Sequence, residues 1–95
     1  MHKVFFTHEA QQDLQDIYDH IAQDNPFYAS EVVIKIHTSI DFLKEFPYIG
    51  TLFRDNIRYI VEPKYHLKIV YRIISTHIEI LSVFKYQERW NQNGM

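Results

Sequence analysis

The stretch YHLKIVYRI, residues 65–73, sets Tyr65, Leu67, Ile69, Tyr71 and Ile73 in alternation with His66, Lys68, Val70 and Arg72. Alternation with period two marks a strand buried on one side only. One face is wholly apolar. The other places three basic or potentially basic side chains around a valine, so it is either a wet surface or one aimed at a partner.

Two further strand-like runs flank this one, at 57–62 and 77–86, with Glu62-Pro63-Lys64 and Ser75-Thr76 as turns and 51–56 as a loop. Upstream, the apolar run KVFF (3–6) precedes Thr7, a good helix cap, and Glu9, an anion in the first turn where the helix dipole favours it. Ala10, Leu14, Ile17, Tyr18, Ile21 and Ala22 then recur at three- and four-residue spacing, which predicts an amphipathic helix. Asn25-Pro26 closes it and opens a second, with a stripe of Ala29, Val32, Val33, Ile36, Ile40 and Leu43. So short a link makes the helices an antiparallel hairpin, and Pro47 and Gly50 end the second one. The expected fold is α+β in the order β-α-α-β-β-β, with the hairpin on one face of a mostly antiparallel four-stranded sheet.

Ninety-five residues with 46% hydrophobic and 16% aromatic content predict one globular domain, 1–95, with a frayed polar tail at 91–95. There is no cysteine, hence no thiolate chemistry or disulfide framework. The start lacks a signal-peptide core and no spanning segment is present, so the expectation is a cytoplasmic protein without membrane contact. The net charge of −2 divides into −5 over residues 1–50 and +3 over 51–95. That excess is too small for a general nucleic-acid binder. The six histidines (2, 8, 20, 37, 66, 77) lack metal-ligand spacing, and the two glycines form no phosphate loop; neither a metal nor a cofactor is expected.

A tight turn at Ser75-Thr76 would pair Ile74 with His77, Arg72 with Glu79, Val70 with Leu81, Lys68 with Val83 and His66 with Lys85. The covered face would then continue through Ile78, Ile80 and Phe84. The open face would hold Val70, Ile74, Leu81 and Val83 inside a rim of cations, which suits a binding surface with a dry centre. Arg72 opposite Glu79 is by itself an ordinary cross-strand pair. Because Ser-Thr is a weak hairpin turn, a one-residue slip would exchange the faces.

Thr7, Ala10, Asp13-Leu14, Ile17, Ile21, Asn25-Pro26, Ala29, Ile40, Leu43, Phe46-Pro47, Gly50, Arg58, Tyr65, Ile69, Tyr71-Arg72-Ile73 and Ile80-Leu81 with Val83 together resemble the RelE/ParE toxin superfamily. The resemblance runs from residue 3 to about residue 90 and rests on order and spacing. It implies the toxin of a bacterial type II toxin–antitoxin pair, forming a hetero-oligomer with a cognate antitoxin whose extended, partly helical segment wraps it. Val70, Leu81, Val83 and Ile74 are the expected antitoxin contacts.

The target divides the superfamily. The ParE-like branch, favoured here, poisons DNA gyrase without known hydrolysis; Arg58, Lys68, Arg72, Lys85 and Arg89 are then the expected target contacts. The RelE/YoeB-like alternative is metal-independent cleavage of mRNA on the ribosome. Such cleavage needs a proton acceptor, a proton donor and cations for the phosphorane charge. In that reading Lys68, Lys85, Tyr86, His66 and Glu88 form the site. Lys68 stands where the RelE-like branch has an arginine, Tyr86 where a second arginine or a histidine acts, and the functional tyrosine near the end of RelE falls near Gln92. Most of the ribonuclease set is thus substituted. Lys85-Tyr86-Gln87-Glu88-Arg89 also departs from the His-Gly-Arg-Arg that often follows the last strand of ParE-like chains. A third alternative is a decayed member that keeps only antitoxin binding.

Overall fold

Thr7 and Asn25 do what their positions suggest. The Thr7 hydroxyl accepts from the Ala10 N–H at 3.0 Å, and the Asn25 side chain accepts from the Tyr28 N–H at 3.0 Å. They start α1 (His8–Ala22) and α2 (Pro26–Glu45), which follow β1 (Lys3–Phe6). Next come β2 (Thr51–Arg54), β3 (Ile57–Glu62), β4 (Leu67–Ile74) and β5 (His77–Lys85). The structure is a computed structural model and describes residues 2–86.

The sheet has five strands rather than four, in the order β1-β5-β4-β3-β2. The added strand comes from 51–54, where Asp55-Asn56 closes a hairpin that pairs Arg54 with Ile57 and Thr51 with Tyr59. β1 joins β5 in parallel and every other pairing is antiparallel. Strand β4 begins at Leu67, because Tyr65 and His66 belong to the preceding turn, His66 with a left-handed φ of 57°. Glu62 holds that turn. Its buried carboxylate accepts from the backbone N–H groups of Lys64 and Tyr65, so the charge is satisfied internally.

Both helices lie on one side of the sheet. Val32, Ile36, Ile40 and Leu43 of α2 and Ala10 of α1 form one core with Leu67, Ile69, Tyr71, Ile78, Ile80 and Val83. Tyr71 also anchors the α2–β2 connection. Its hydroxyl donates to the Pro47 carbonyl at 2.7 Å and accepts from the Gly50 N–H at 3.0 Å. Gly50 is needed for this approach, since a Cβ would stand 2.5 Å from that hydroxyl and 2.8 Å from the Tyr59 carbonyl. Arg58 completes the anchor, donating to the carbonyls of Gly50 (2.9 Å) and Tyr48 (3.3 Å) with its guanidinium over the Tyr48 ring.

Burial pushes the Tyr71 hydroxyl above the ordinary tyrosine range, against smaller downward pulls from the Gly50 N–H and the Arg58 charge. A raised native value means that the unfolded chain ionises first. This contribution to stability is therefore whole below about pH 10 and declines as the pH climbs past it. Tyr71→Phe strands a buried N–H and a buried carbonyl, which costs about 2 kcal/mol. Urea denaturation should show that loss at neutral pH and a narrowing gap between the two proteins above about pH 10. A gap constant with pH would disprove the assignment.

Candidate functional site

The face of the sheet away from the helices is set by an irregularity in β5. From the turn upward the pairing is regular, Ile74 with His77 and Arg72 with Glu79, and Tyr71 meets Ile80. Leu81 is then an extra residue, and the register resumes with Val70 opposite Ser82, Ile69 opposite Val83 and Lys68 opposite Phe84. An inserted residue of this kind is a β-bulge, and it exchanges the two faces for everything beyond it.

Asp13, from the middle of α1, holds the bulge. One carboxylate oxygen accepts from the Val83 N–H at 2.9 Å and from the Ser82 hydroxyl at 3.0 Å. The Thr7 cap adds a second tie: its N–H donates to the Ile80 carbonyl at 3.0 Å and its hydroxyl to the Leu81 carbonyl at 3.2 Å.

The bulge corrects several sequence-based placements. Val83 is buried in the core, at 2% exposure, rather than open for an antitoxin. Phe84 is 41% exposed and stands outward beside Lys68 instead of continuing the covered face. Lys85 pairs with Leu67, which turns it to the helix side at the end of the sheet, away from Lys68. Arg58 pairs with Tyr71, also on the helix side, and is committed to the Tyr48 and Gly50 carbonyls. Arg72 is held by Glu79 through Nε at 2.8 Å. Glu88, Arg89, Gln92 and the tail 91–95 lie outside the described residues.

The outward face keeps Lys68, Val70, Arg72 and Ile74, with Leu81 half-buried at the bulge. The sequence reading missed Phe53, Tyr59 and Phe84, which join Lys68 and Val70 around a hollow of about 280 Å³. The Lys68 ammonium lies 4.6 Å from the Tyr59 ring centroid and 5.7 Å from that of Tyr86. His66 stacks on Tyr86 at 5.6 Å, and its carbonyl accepts from the Tyr86 N–H at 2.9 Å. Farther along, Phe5 meets His77 edge-on at 5.1 Å. The pattern is a caged cation within an aromatic floor. Among the described residues Lys68 has no carboxylate partner, and no three His, Asp or Glu side chains gather as a metal would require.

A signal for the missed aromatics was available. Tyr59 follows from the period-two pattern of 57–62, and Asp55-Asn56 is a fair hairpin turn that makes 51–54 a strand. Nothing local betrays the bulge, because its cause is a carboxylate far away in the sequence.

Residues 4–90 match the family described as ParE toxin of type II toxin–antitoxin system, parDE. The chain is 34% identical over 91 residues to the protein Y4kP of Sinorhizobium fredii (strain NBRC 101917 / NGR234), covering 95% of this chain and 94% of that protein. The fold is similar to a chain of the chromosomal ParDE system from P. aeruginosa, with TM-score 0.79, 22% identity and coverage of 92% and 98% of the two chains. It is also similar to a chain of the intact E. coli RelBE toxin–antitoxin complex, with TM-score 0.72, 16% identity and coverage of 93% and 100%.

Asp13→Ala removes the acceptor for a partly buried N–H at the bulge and should destabilise the fold by about 1–3 kcal/mol. Ser82→Ala, which leaves the Val83 bond intact, should cost no more than about 1 kcal/mol. Chemical denaturation of the two variants measures the difference, and equal stabilities would remove Asp13 from this role.

Proposed function

The chain belongs to the ParE toxin family of type II toxin–antitoxin systems, and we propose that it arrests growth by binding DNA gyrase through the outward face of its sheet. A cognate antitoxin neutralises it by covering that face. The observation that carries this reading is the setting of Lys68, a cation enclosed by aromatic and apolar side chains. Phosphodiester cleavage through a 2′-hydroxyl needs a proton acceptor, a donor and more than one cation around the developing charge. Here Arg58 and Lys85 turn to the other side and Arg72 is occupied by Glu79. What remains is an adhesive surface: Phe53, Tyr59, Val70 and Phe84 exclude water, and Lys68 supplies charge at the centre. Antitoxin and target then compete for Val70, Ile74 and Leu81.

One observation favours a second reading. His66 and Tyr86 stack beside Lys68, so a titratable imidazole, a phenol and an ammonium share one corner of the face. That trio is the part of the expected ribonuclease set that comes together, and it suits a weak, metal-independent endoribonuclease acting on ribosome-bound mRNA.

Purified protein separates the two. Gyrase-dependent DNA cleavage complexes are expected, reduced at least tenfold by Lys68→Ala, with mRNA on ribosomes left whole. Truncated mRNA that disappears with His66→Ala, without any effect on gyrase, would establish the second reading instead. If neither activity accompanies expression and growth continues, the chain is a decayed member that only binds antitoxin. Val70→Asp and Leu81→Asp should each weaken antitoxin binding at least tenfold while circular dichroism stays unchanged; unaltered affinity in a folded variant would exclude this face as the antitoxin's seat.

A further inference from the structure

The hollow around Lys68 has a second free cation at its rim. Arg54 pairs with Ile57, which pairs in turn with Arg72, so all three stand on the outward face. The Arg54 guanidinium lies 5.4 Å from the centroid of the Phe53 ring, much as the Lys68 ammonium lies over Tyr59. Neither cation has a carboxylate partner among the described residues, whereas Arg72 is held by Glu79. Two of the rings that line the hollow, Phe53 and Tyr59, are therefore each backed by an unpaired charge.

Phe53 owes its place to an irregularity of β2. Leu52 pairs with Arg58 and Arg54 with Ile57, which leaves Phe53 as an extra residue without a partner on β3. A bulge re-aims the side chain it carries and spoils the edge for further strand pairing. What β2 gives up as an edge it returns as a wall of the hollow, shared with Phe84. Phe53 is 62% exposed and Phe84 41%, so the free chain leaves both walls wet. A space of about 280 Å³ in such a frame suits one large anchoring side chain rather than a helix or a strand.

We infer that the hollow seats a single apolar side chain of the target protein, flanked by carboxylates that meet Lys68 and Arg54. The inference rests on the gyrase reading above and adds which component of a gyrase–DNA complex is gripped: the protein, through an acidic and apolar segment. Proteins that follow a DNA backbone line up several cations on successive phosphates and release a counterion for each. This chain is net negative, at −2, its Arg72 is already neutralised, and its two free cations sit against aromatic rings. An apolar anchor between carboxylates matches that frame in both polarity and charge. The anchor displaces water from the rings, and the carboxylates meet cations that the rings have already partly dehydrated.

The test measures binding of the native chain to purified DNA gyrase, first free of DNA and then with a linear duplex added. Binding without DNA is expected. Lys68→Gln should weaken it at least tenfold, and Arg54→Gln and Phe53→Ala at least fivefold each, while circular dichroism stays that of the native chain. Raising the salt should narrow the deficit of the two charge variants and leave that of Phe53→Ala in place, since salt screens only the charge contacts. Binding that appears only with the duplex would assign the face to DNA and overturn the inference. DNA-free binding that ignores the charge variants, or a deficit that salt does not touch, would remove carboxylates from this seat while the gyrase reading stood. If gyrase is bound neither with nor without DNA, the gyrase reading fails and this inference with it. Should Phe53→Ala not fold, the two charge variants decide.

Discussion

One carboxylate of α1, Asp13, fixes which side chains of β5 look outward. By accepting from the Val83 N–H and the Ser82 hydroxyl it stabilises the extra residue at Leu81. If β5 were regular instead, with Leu81 paired like its neighbours, the alternation Ile78, Ile80, Ser82, Phe84 would run unbroken on the helix side, and the valine at 83 would stand in solvent. With it, Val83 fills the core and Phe84 turns out beside Lys68. The helix therefore does more than shield the inner face. Through two partly buried hydrogen bonds it also composes the outer one, since a bulge re-aims every side chain after it.

The composition that results suits the outward face to binding rather than to simple solvation. A cation packed against aromatic rings is held in place by their quadrupoles and loses part of its hydration, so less water must be stripped from it when an anionic or polar partner arrives. Arg72 cannot play the same part. Its Nε is bonded to Glu79 in a half-exposed pair whose contribution to stability is below about 1 kcal/mol. The two cations differ in use although both alternate outward from one strand, and the difference lies entirely in what stands opposite on β5: a phenylalanine in one case, a glutamate in the other.

Much of this was legible in the sequence. The helix caps at Thr7 and Asn25, the helical hairpin, the three long strands, the inner face of β4 and the Arg72–Glu79 pair all follow from local rules. So does family membership, from the order and spacing of apolar and turn residues. What escaped has a common physical origin. The register of β4 on β5 beyond Tyr71 depends on a contact between residues about seventy positions apart, and no propensity or periodicity carries that information. The fates of Arg58 and Tyr71 likewise depend on the carbonyls of Tyr48, Gly50 and Pro47, which local patterning cannot align with them. The short strand at 51–54 was a different failure: its turn was visible in Asp55-Asn56, but four residues with every side chain exposed carry no inside-outside contrast.

A second imbalance in the chain points the same way as the sheet. Helix α2 buries Val32, Ile36 and Leu43 on one side and still exposes Phe27, Ile34 and Phe42 on others, at 74%, 64% and 49%. A helix serving only its own core would carry polar residues there. Together with Tyr48, Ile49, Leu52 and Phe53, these residues leave many large apolar side chains in solvent on the free chain. For a protein that stands alone this is a liability, since such patches drive aggregation. For the toxin of a toxin–antitoxin pair it is consistent with a life spent in complex, in which a partner covers apolar surface the fold leaves bare.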